Sequence, residues 1–137
     1  MKKKLLSIII LCLFCACAIN AKTFRVGKLQ TIKSIQKAID VAKNGDTILV
    51  DAGLYKEKNI VIQKSIILIG LNYPVLDGEK KYAIITIKAT NAKVEGFKIQ
   101  RTGRSEIRDI GAIMIYDSYK VSAINNILDD NNFGIYI

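Results

Sequence analysis

The sequence predicts an all-β fold, a parallel β-helix with three strands per coil and a short N-terminal capping helix. Isoleucine supplies 25 of the 137 residues, and β-branched side chains favour strands over helices. From residue 46 onward the apolar runs are too short for helices and are separated by Gly, Asn and Asp. These runs recur at intervals of roughly 20 to 30 residues, a period that indicates a solenoid.

The composition limits the chemistry that this stretch can perform. A chain of 137 residues has room for one domain, and it contains no His, which excludes histidine-based triads, the zinc-protease helix motif and the commonest metal ligand. Lys and Arg number 21 against 12 Asp and Glu. This excess suits acidic glycans, lipid head groups or an acidic partner protein. Nucleic acid is disfavoured, because no basic motif is interleaved with aromatic residues.

The N-terminal segment is typical of a signal peptide, which we place at residues 1–21. Met1–Lys4 is basic, Leu5–Cys17 is apolar, and Ala18–Ala21 offers small residues for cleavage. The protein is therefore expected to be periplasmic or secreted. All three cysteines precede the cleavage site, so the mature chain would hold no thiol. A lipid anchor on Cys17 is an alternative, whereas a spanning helix would need about 20 apolar residues.

One helix is predicted, over Thr31–Gly45. Thr31 is a suitable N-cap, an apolar stripe follows at helical spacing, and Asn44-Gly45 supplies the exit. The first coil of a solenoid has an open strand edge that invites aggregation, and this helix is expected to cover it. The coils then begin at about residue 46.

Every later apolar run is predicted to be a strand. The predicted strands are Thr47–Val50, Ile60–Ile62, Ser65–Ile69, Val75–Leu76, Ile84–Ile87, Val94–Ile99, Ile113–Tyr116 and Val121–Leu128.

Three ladders of inward-facing residues follow from the repeat. Pairs of Ile two residues apart recur after 25, 28 and 22 residues, and their spacing places both members on one face of a strand. These pairs are Ile60/Ile62, Ile85/Ile87, Ile113/Ile115 and Ile135/Ile137, with Val61, Thr86, Met114 and Tyr136 expected on the outer face. The second predicted ladder is Ile67, Val94 and Val121, and the third is Leu76, Ile99 and Ile127.

The sequence stops at Phe133–Ile137, within what resembles a new coil. We therefore expect residues 22–137 to be the N-terminal part of a β-helix that is truncated at the C-terminus. A β-meander or a sandwich would produce similar short runs, although usually with less regular repeats.

Several segments resemble the opening of the pectin-lyase-like right-handed parallel β-helix proteins. They are Thr31–Ile39, Asn44–Ile48, Gly53–Glu57 and Ile67–Gly70. Lys64–Gly70, Val75–Gly78 and Ala92–Ile99 are most similar to the NosD group within that superfamily. The resemblance implies an exported, non-enzymatic accessory protein. Such proteins work with an ABC transporter during copper-site maturation of nitrous oxide reductase.

Copper chemistry would be supported by clusters of His, Cys or Met. Among these the mature segment offers only Met114, which we interpret as a lone exposed apolar residue on the outer face. No cofactor or metal site is therefore assigned within this segment. Under the copper hypothesis, the ligands lie beyond residue 137 or this part serves as scaffold.

A polysaccharide lyase or hydrolase, or a carbohydrate-binding β-helix, is the alternative reading. Such enzymes need carboxylates that converge from neighbouring coils. The candidates are Asp77, Glu79, Glu95, Asp117, Asp129 and Asp130. Most are next to Gly, Asn or Ser, where Asp favours turns, so we assign no catalytic residue. A surface scaffold with neither activity is a third possibility.

The segment Gln100–Ile110 is longer than a coil corner requires and is a candidate docking loop for a partner protein or an acidic glycan. Three of the four arginines of the chain are concentrated in it, and Arg makes bidentate contacts that Lys does not. The loop residues singled out are Arg101, Arg104, Glu106, Arg108 and Asp109. A solvated insertion held by local ion pairs is the competing interpretation. The six tyrosines share no single ladder and are not expected to form a sugar platform.

Overall fold

A computed structural model describes residues 20–137. The three cysteines, including the predicted lipidation site at Cys17, and nearly all of the predicted signal peptide lie outside the described residues.

The described chain contains one short helix, α1 (Ile35–Val41), and thirteen strands. The strands are β1 (Thr23–Val26), β2 (Thr47–Val50), β3 (Leu54–Tyr55), β4 (Ile60–Ile62), β5 (Ile67–Gly70), β6 (Val75–Asp77), β7 (Ile85–Ile87), β8 (Lys93–Glu95), β9 (Lys98–Gln100), β10 (Gly111–Ile115), β11 (Ser122–Ile124), β12 (Ile127–Asp129) and β13 (Phe133–Tyr136).

The strands form three parallel sheets. Sheet A contains β1, β2, β5, β8 and β11, sheet B contains β3, β6, β9 and β12, and sheet C contains β4, β7, β10 and β13. Every third strand from β2 onward therefore joins the same sheet, which gives four complete turns of three strands. This is the predicted all-β, right-handed parallel β-helix.

The first predicted ladder is confirmed. In sheet C, Ile60 pairs with Ile85, Ile85 with Ile113, and Ile113 with Ile135. The outward-facing ladder of Val61, Thr86, Met114 and Tyr136 is in register as well. A single interior therefore runs the length of the solenoid, and most of its lining is fully buried Ile, Leu and Val.

The other two predicted ladders are only partly correct: Val94, Leu76 and Ile99 are confirmed, Ile67 and Ile127 are wrong by one residue, and Val121 is wrong by two. In sheet A the inward ladder is Phe24, Ile48, Leu68, Val94 and Ala123. In sheet B it is Tyr55, Leu76, Ile99 and Leu128. Runs such as Ile66–Ile69 are apolar on both faces, so their sequence does not show which residues point inward.

Two predicted strands each contain a corner. Val94–Ile99 is divided at Gly96, with φ of +77°, and Val121–Leu128 is divided at Asn125, with φ of 53°. Gly96 meets the backbone of Gly70 so closely that a Cβ would lie 2.6 Å from the Gly70 oxygen. Gly and Asn tolerate this left-handed backbone best, and the chain passes there from sheet A to sheet B.

The helix is shorter than predicted and begins later. Its N-cap is Ser34, whose hydroxyl accepts a hydrogen bond from the Lys37 N–H, and Ala42 is already extended. The predicted cap, Thr31, precedes Ile32, which forms a parallel bridge with Val26 instead of a helical turn. Within residues 20–137, no helix combines the length and the apolar character needed to cross a membrane.

The predicted capping role is visible in the contacts of α1, which lie with β1, β2 and β4. The Gln36 amide accepts from the Val61 N–H at 2.7 Å and donates to the Val61 carbonyl at 3.3 Å. These are the backbone bonds that another strand would make at the edge of β4. The helix therefore covers the first turn with both apolar side chains and strand-like hydrogen bonds.

Candidate functional site

The candidate docking loop spans residues 101–110, between β9 and β10. It lies over the outer face of sheet C, because Arg108, Asp109 and Ile110 line the same hollow as Thr86 and Met114. Thr86 and Met114 face away from the interior, yet they are only 5% and 2% exposed. The end of the loop therefore borders this face of sheet C, whereas Arg104 and residues 106–109 are exposed.

The interpretation of Met114 as an exposed residue is therefore wrong. Its sulfur accepts a hydrogen bond from the Gly111 N–H at 3.0 Å. The buried sulfur is therefore hydrogen-bonded to the protein's own backbone, although the strand pattern places Met114 on the outward face.

A groove of about 610 Å³ remains between the loop and sheet C. Lys81, Lys88 and Arg108 line it, together with the rings of Tyr82 and Tyr116. Asn59, Ala83, Thr86, Asp109, Ile110 and Met114 complete its lining. Among the described residues none of the three groove cations makes an ion pair with a carboxylate. The groove therefore offers positive charge and aromatic faces to a ligand.

Cations lie over the aromatic rings at this surface. The Lys88 Nζ is 5.9 Å from the Tyr116 ring centroid, and the Lys58 Nζ is 5.6 Å from the Tyr82 centroid. Contacts of this kind are weakly attractive and hold the ammonium above the ring. The basic and aromatic side chains are consequently presented side by side.

Aromatic rings lie close together beside the groove. The rings of Tyr116 and Tyr136 are 6.5 Å apart, and the Phe133 and Tyr136 rings are 5.9 Å apart. The nearby Asp109 carboxylate raises the pKa of Tyr136 above its usual value. Tyr82, Tyr116 and Tyr136 therefore share one surface, unlike the scattered arrangement that the sequence suggested.

The five loop residues have different roles. Arg101 binds Asp77 through two of its nitrogens, and the Arg104 Nη2 lies 3.1 Å from the Asp130 Oδ1. These two arginines fasten the loop to neighbouring turns. Of the five loop residues, only Arg108 and Asp109 line the groove, and Glu106 is exposed. Residues in and beside sheet C supply most of the remaining lining of the groove.

Five of the six candidate carboxylates are paired with cations. The pairs are Asp77 with Arg101, Glu79 with Lys56, Glu95 with Lys93, Asp129 with Lys98, and Asp130 with Lys80 and Arg104. Asp117 is exposed at a corner with φ of 47°. These positions have the structural roles expected of turn and ion-pair residues.

The environment of Asp77 shows how such a carboxylate is held. Burial alone would raise its pKa, but hydrogen bonds from Arg101 and from the Glu79 N–H lower it below the usual range. A third bond comes from the Gln100 side chain at 3.1 Å. Asp77 stays ionised and fully bonded, whereas a general acid needs a raised pKa.

Within residues 20–137, no group of three or more His, Cys, Asp or Glu is arranged to hold a metal ion.

Sequence reasoning missed the sheet C residues of the groove, above all Lys81, Tyr82 and Lys88. They flank β7, with Lys81 and Tyr82 before the strand and Lys88 directly after it. A signal was present, because basic and aromatic residues sit on either side of an inward-facing Ile pair. The missing information was that the long loop would lie opposite them.

Comparison of the chain with protein-family profiles, with curated proteins and with solved structures finds no match. The fold assignment therefore rests on the strand pairing, and the function is inferred from the groove.

Proposed function

We propose that this protein is a non-catalytic, exported β-helix that docks an acidic surface of a partner protein in the groove over sheet C. The observation that carries the proposal is the joint presentation of Lys81, Lys88 and Arg108 by a rigid sheet and an anchored loop. A surface fixed in this way loses little conformational freedom when it binds.

The similarity of Lys64–Gly70 and Ala92–Ile99 to the NosD group supports a particular partner. Under this proposal the partner is an ABC transporter or its client copper enzyme, and the role is copper-site maturation of nitrous oxide reductase in the periplasm. This segment contributes scaffold and docking surface, and any copper ligands of the protein lie in other residues.

The test is replacement of the groove cations in the producing cell. Lys81→Glu combined with Arg108→Glu should lower the copper content of nitrous oxide reductase and weaken its binding to the purified protein. Lys120→Glu with Lys43→Glu is the matched control, since both lysines are exposed and lie outside the groove. Normal copper loading by the groove variant would refute the proposal.

A second candidate function is binding of an acidic polysaccharide, which the Tyr82 and Tyr116 rings favour. Sugar rings stack on aromatic faces, and adjacent lysines would bind the uronic carboxylates. Polygalacturonate is a suitable probe for calorimetry. Tyr82→Ala should abolish the binding heat, whereas Tyr73→Ala, at a partly exposed ring outside the groove, should not. Release of new reducing ends would contradict the non-catalytic assignment.

A further inference from the structure

The capped end of the solenoid exposes large apolar side chains. Leu29 is 95% exposed, and Val41 and Leu54 are each 59% exposed. Leu29 lies in the tight turn closed by the hydrogen bond from the Gln30 N–H to the Gly27 carbonyl, at 3.1 Å. These three side chains are exposed to solvent, whereas the apolar side chains of the interior are buried.

Lysines surround these apolar side chains. One hollow of about 300 Å³ is lined by Lys33, Lys37 and Val41, and another of about 340 Å³ by Lys28, Lys33 and Leu54. Because Lys33 lines both, the two hollows adjoin. We call this surface the cap face, consisting of Lys28, Leu29, Lys33, Lys37, Val41 and Leu54.

The positive charge of the cap face is not neutralised within the described chain. Lys28, Lys33 and Lys37 make no ion pair among residues 20–137. The nearby carboxylate of Glu57 is committed to the start of α1, where it accepts from the Ile35 N–H at 2.7 Å and the Gln36 N–H at 3.0 Å. The Asp40 carboxylate accepts from the Gln36 side chain.

We propose that the cap face binds the surface of an anionic phospholipid bilayer. Apolar side chains that project between lysines match the boundary between acyl chains and head groups, where Leu enters and Lys binds phosphate. Binding to a bilayer requires no complementary shape, which suits a projecting Leu29 better than a protein pocket would.

The charge of the cap face supports this occupant. Lys28, Lys33 and Lys37 are exposed around Leu29 and make no ion pair among residues 20–137. Lipid phosphates would therefore meet free ammonium groups when the apolar side chains enter the bilayer. The inference is independent of the groove over sheet C.

The absence of Trp from the sequence allows a single fluorescent reporter in the full chain. Leu54→Trp and Leu29→Trp place it on the cap face, and Ile107→Trp places it on the loop over sheet C, where Ile107 is 94% exposed. On vesicles of phosphatidylglycerol and phosphatidylcholine, both cap-face reporters should shift to the blue and be quenched by brominated lipid. The Ile107→Trp emission should not change.

Charge reversal separates the cap face from any attachment through the N-terminal run. Lys28→Glu, Lys33→Glu and Lys37→Glu in the Leu54→Trp chain should abolish the shift, and added salt should weaken it in the parent. Circular dichroism checks that each variant folds. An equal shift at Ile107→Trp, or a shift that survives charge reversal, would overturn the proposal. So would a shift that depends on protein concentration without vesicles, which would assign the face to a second copy of the chain.

Discussion

The two ends of the solenoid bury the same inward ladder of Ile to different extents. Ile60, in the first turn of sheet C, is 1% exposed, whereas Ile135, in the last turn, is 46% exposed. Both are Ile at matching register positions, but α1 packs against β4, and β13 is the outermost strand of its sheet. The comparison shows that burial in this fold comes from the neighbouring turns rather than from the strand itself.

At both ends of the solenoid, side-chain amides form hydrogen bonds with backbone N–H and carbonyl groups. Gln36 bonds to the N–H and carbonyl of Val61, and Asn126 accepts from the Phe97 N–H at 3.0 Å and donates to the Val94 carbonyl at 3.0 Å. At the capped end the amide takes the place of a strand, whereas in the last turn it fills a corner between sheets. One functional group thus satisfies the backbone where regular strand pairing stops.

The largest expected difference lies along the Ile ladder, between the middle of the solenoid and its last turn. Ile85→Ala should destabilise the protein by about 2 to 5 kcal/mol, because Ile85 is fully buried and the change leaves a cavity. Ile135→Ala should cost less than about 1 kcal/mol, because half-exposed side chains lose little packing. Urea unfolding followed by circular dichroism measures both. Equal losses would mean that the last turn is packed as tightly as the middle of the solenoid.

The second largest loss of stability is expected from removing the hydrogen bonds between Gln36 in the capping helix and Val61. Gln36→Ala should cost about 1 to 3 kcal/mol, since it removes both bonds to Val61 and leaves the Val61 backbone groups unpaired in a partly buried place. Gln63→Ala is the matched control at an exposed position. Hydrogen exchange at the Val61 amide should accelerate in the first variant only. Unchanged protection there would show that water replaces the glutamine without loss.

A smaller loss of stability is expected from changing Asn126, whose amide lies at a corner of the last turn. Asn126→Ala is expected to cost about 0.5 to 1.5 kcal/mol, because the turn around it is already partly exposed. Asn126→Asp keeps the acceptor for the Phe97 N–H and loses the donor to Val94, so it should retain part of the stability. Unfolding midpoints of the two variants test this order. A loss as large as that of Gln36→Ala would contradict the distinction between the two ends.

The smallest effect is the loss of stability that the unchanged protein should show in acid, at the capped end. Hydrogen bonds from the Lys22 and Lys43 N–H groups lower the pKa of Asp46 below its usual 3.8. Its stabilising contribution is therefore complete at pH values above the unfolded pKa and is lost as the pH falls through the lower folded value.

Thermal unfolding between neutral pH and pH 3 should show this loss. Asp46→Asn should start with a lower Tm at neutral pH and decline less in acid, because the amide cannot titrate. Parallel curves for the two proteins would refute the assignment to Asp46.

The period of the solenoid, its capping helix and the sheet C ladder could be predicted because they depend on spacing alone. The Ile pairs that begin at residues 60, 85, 113 and 135 keep the same two-residue spacing in every turn, so their inward face is readable. The register of sheets A and B could not be predicted, because Ile66–Ile69 is apolar on both faces and Gly96 turns within an apparent strand.

The candidate site was only partly predictable for a different reason. The loop was recognisable from its length and its arginines, but its direction depends on contacts between residues distant in sequence. Arg101 binds Asp77 and Arg104 binds Asp130, 24 and 26 residues away. No local sequence pattern records these contacts, which hold the loop against neighbouring turns.

The spacing between paired residues also varies from turn to turn. Thr47 pairs with Ile67 after 20 residues, Ile67 with Lys93 after 26, and Lys93 with Ser122 after 29. The strands remain in register because the corners take up the extra length. A solenoid of this kind can acquire longer corner segments, and with them new recognition properties, while its stacked interior evolves under separate constraints.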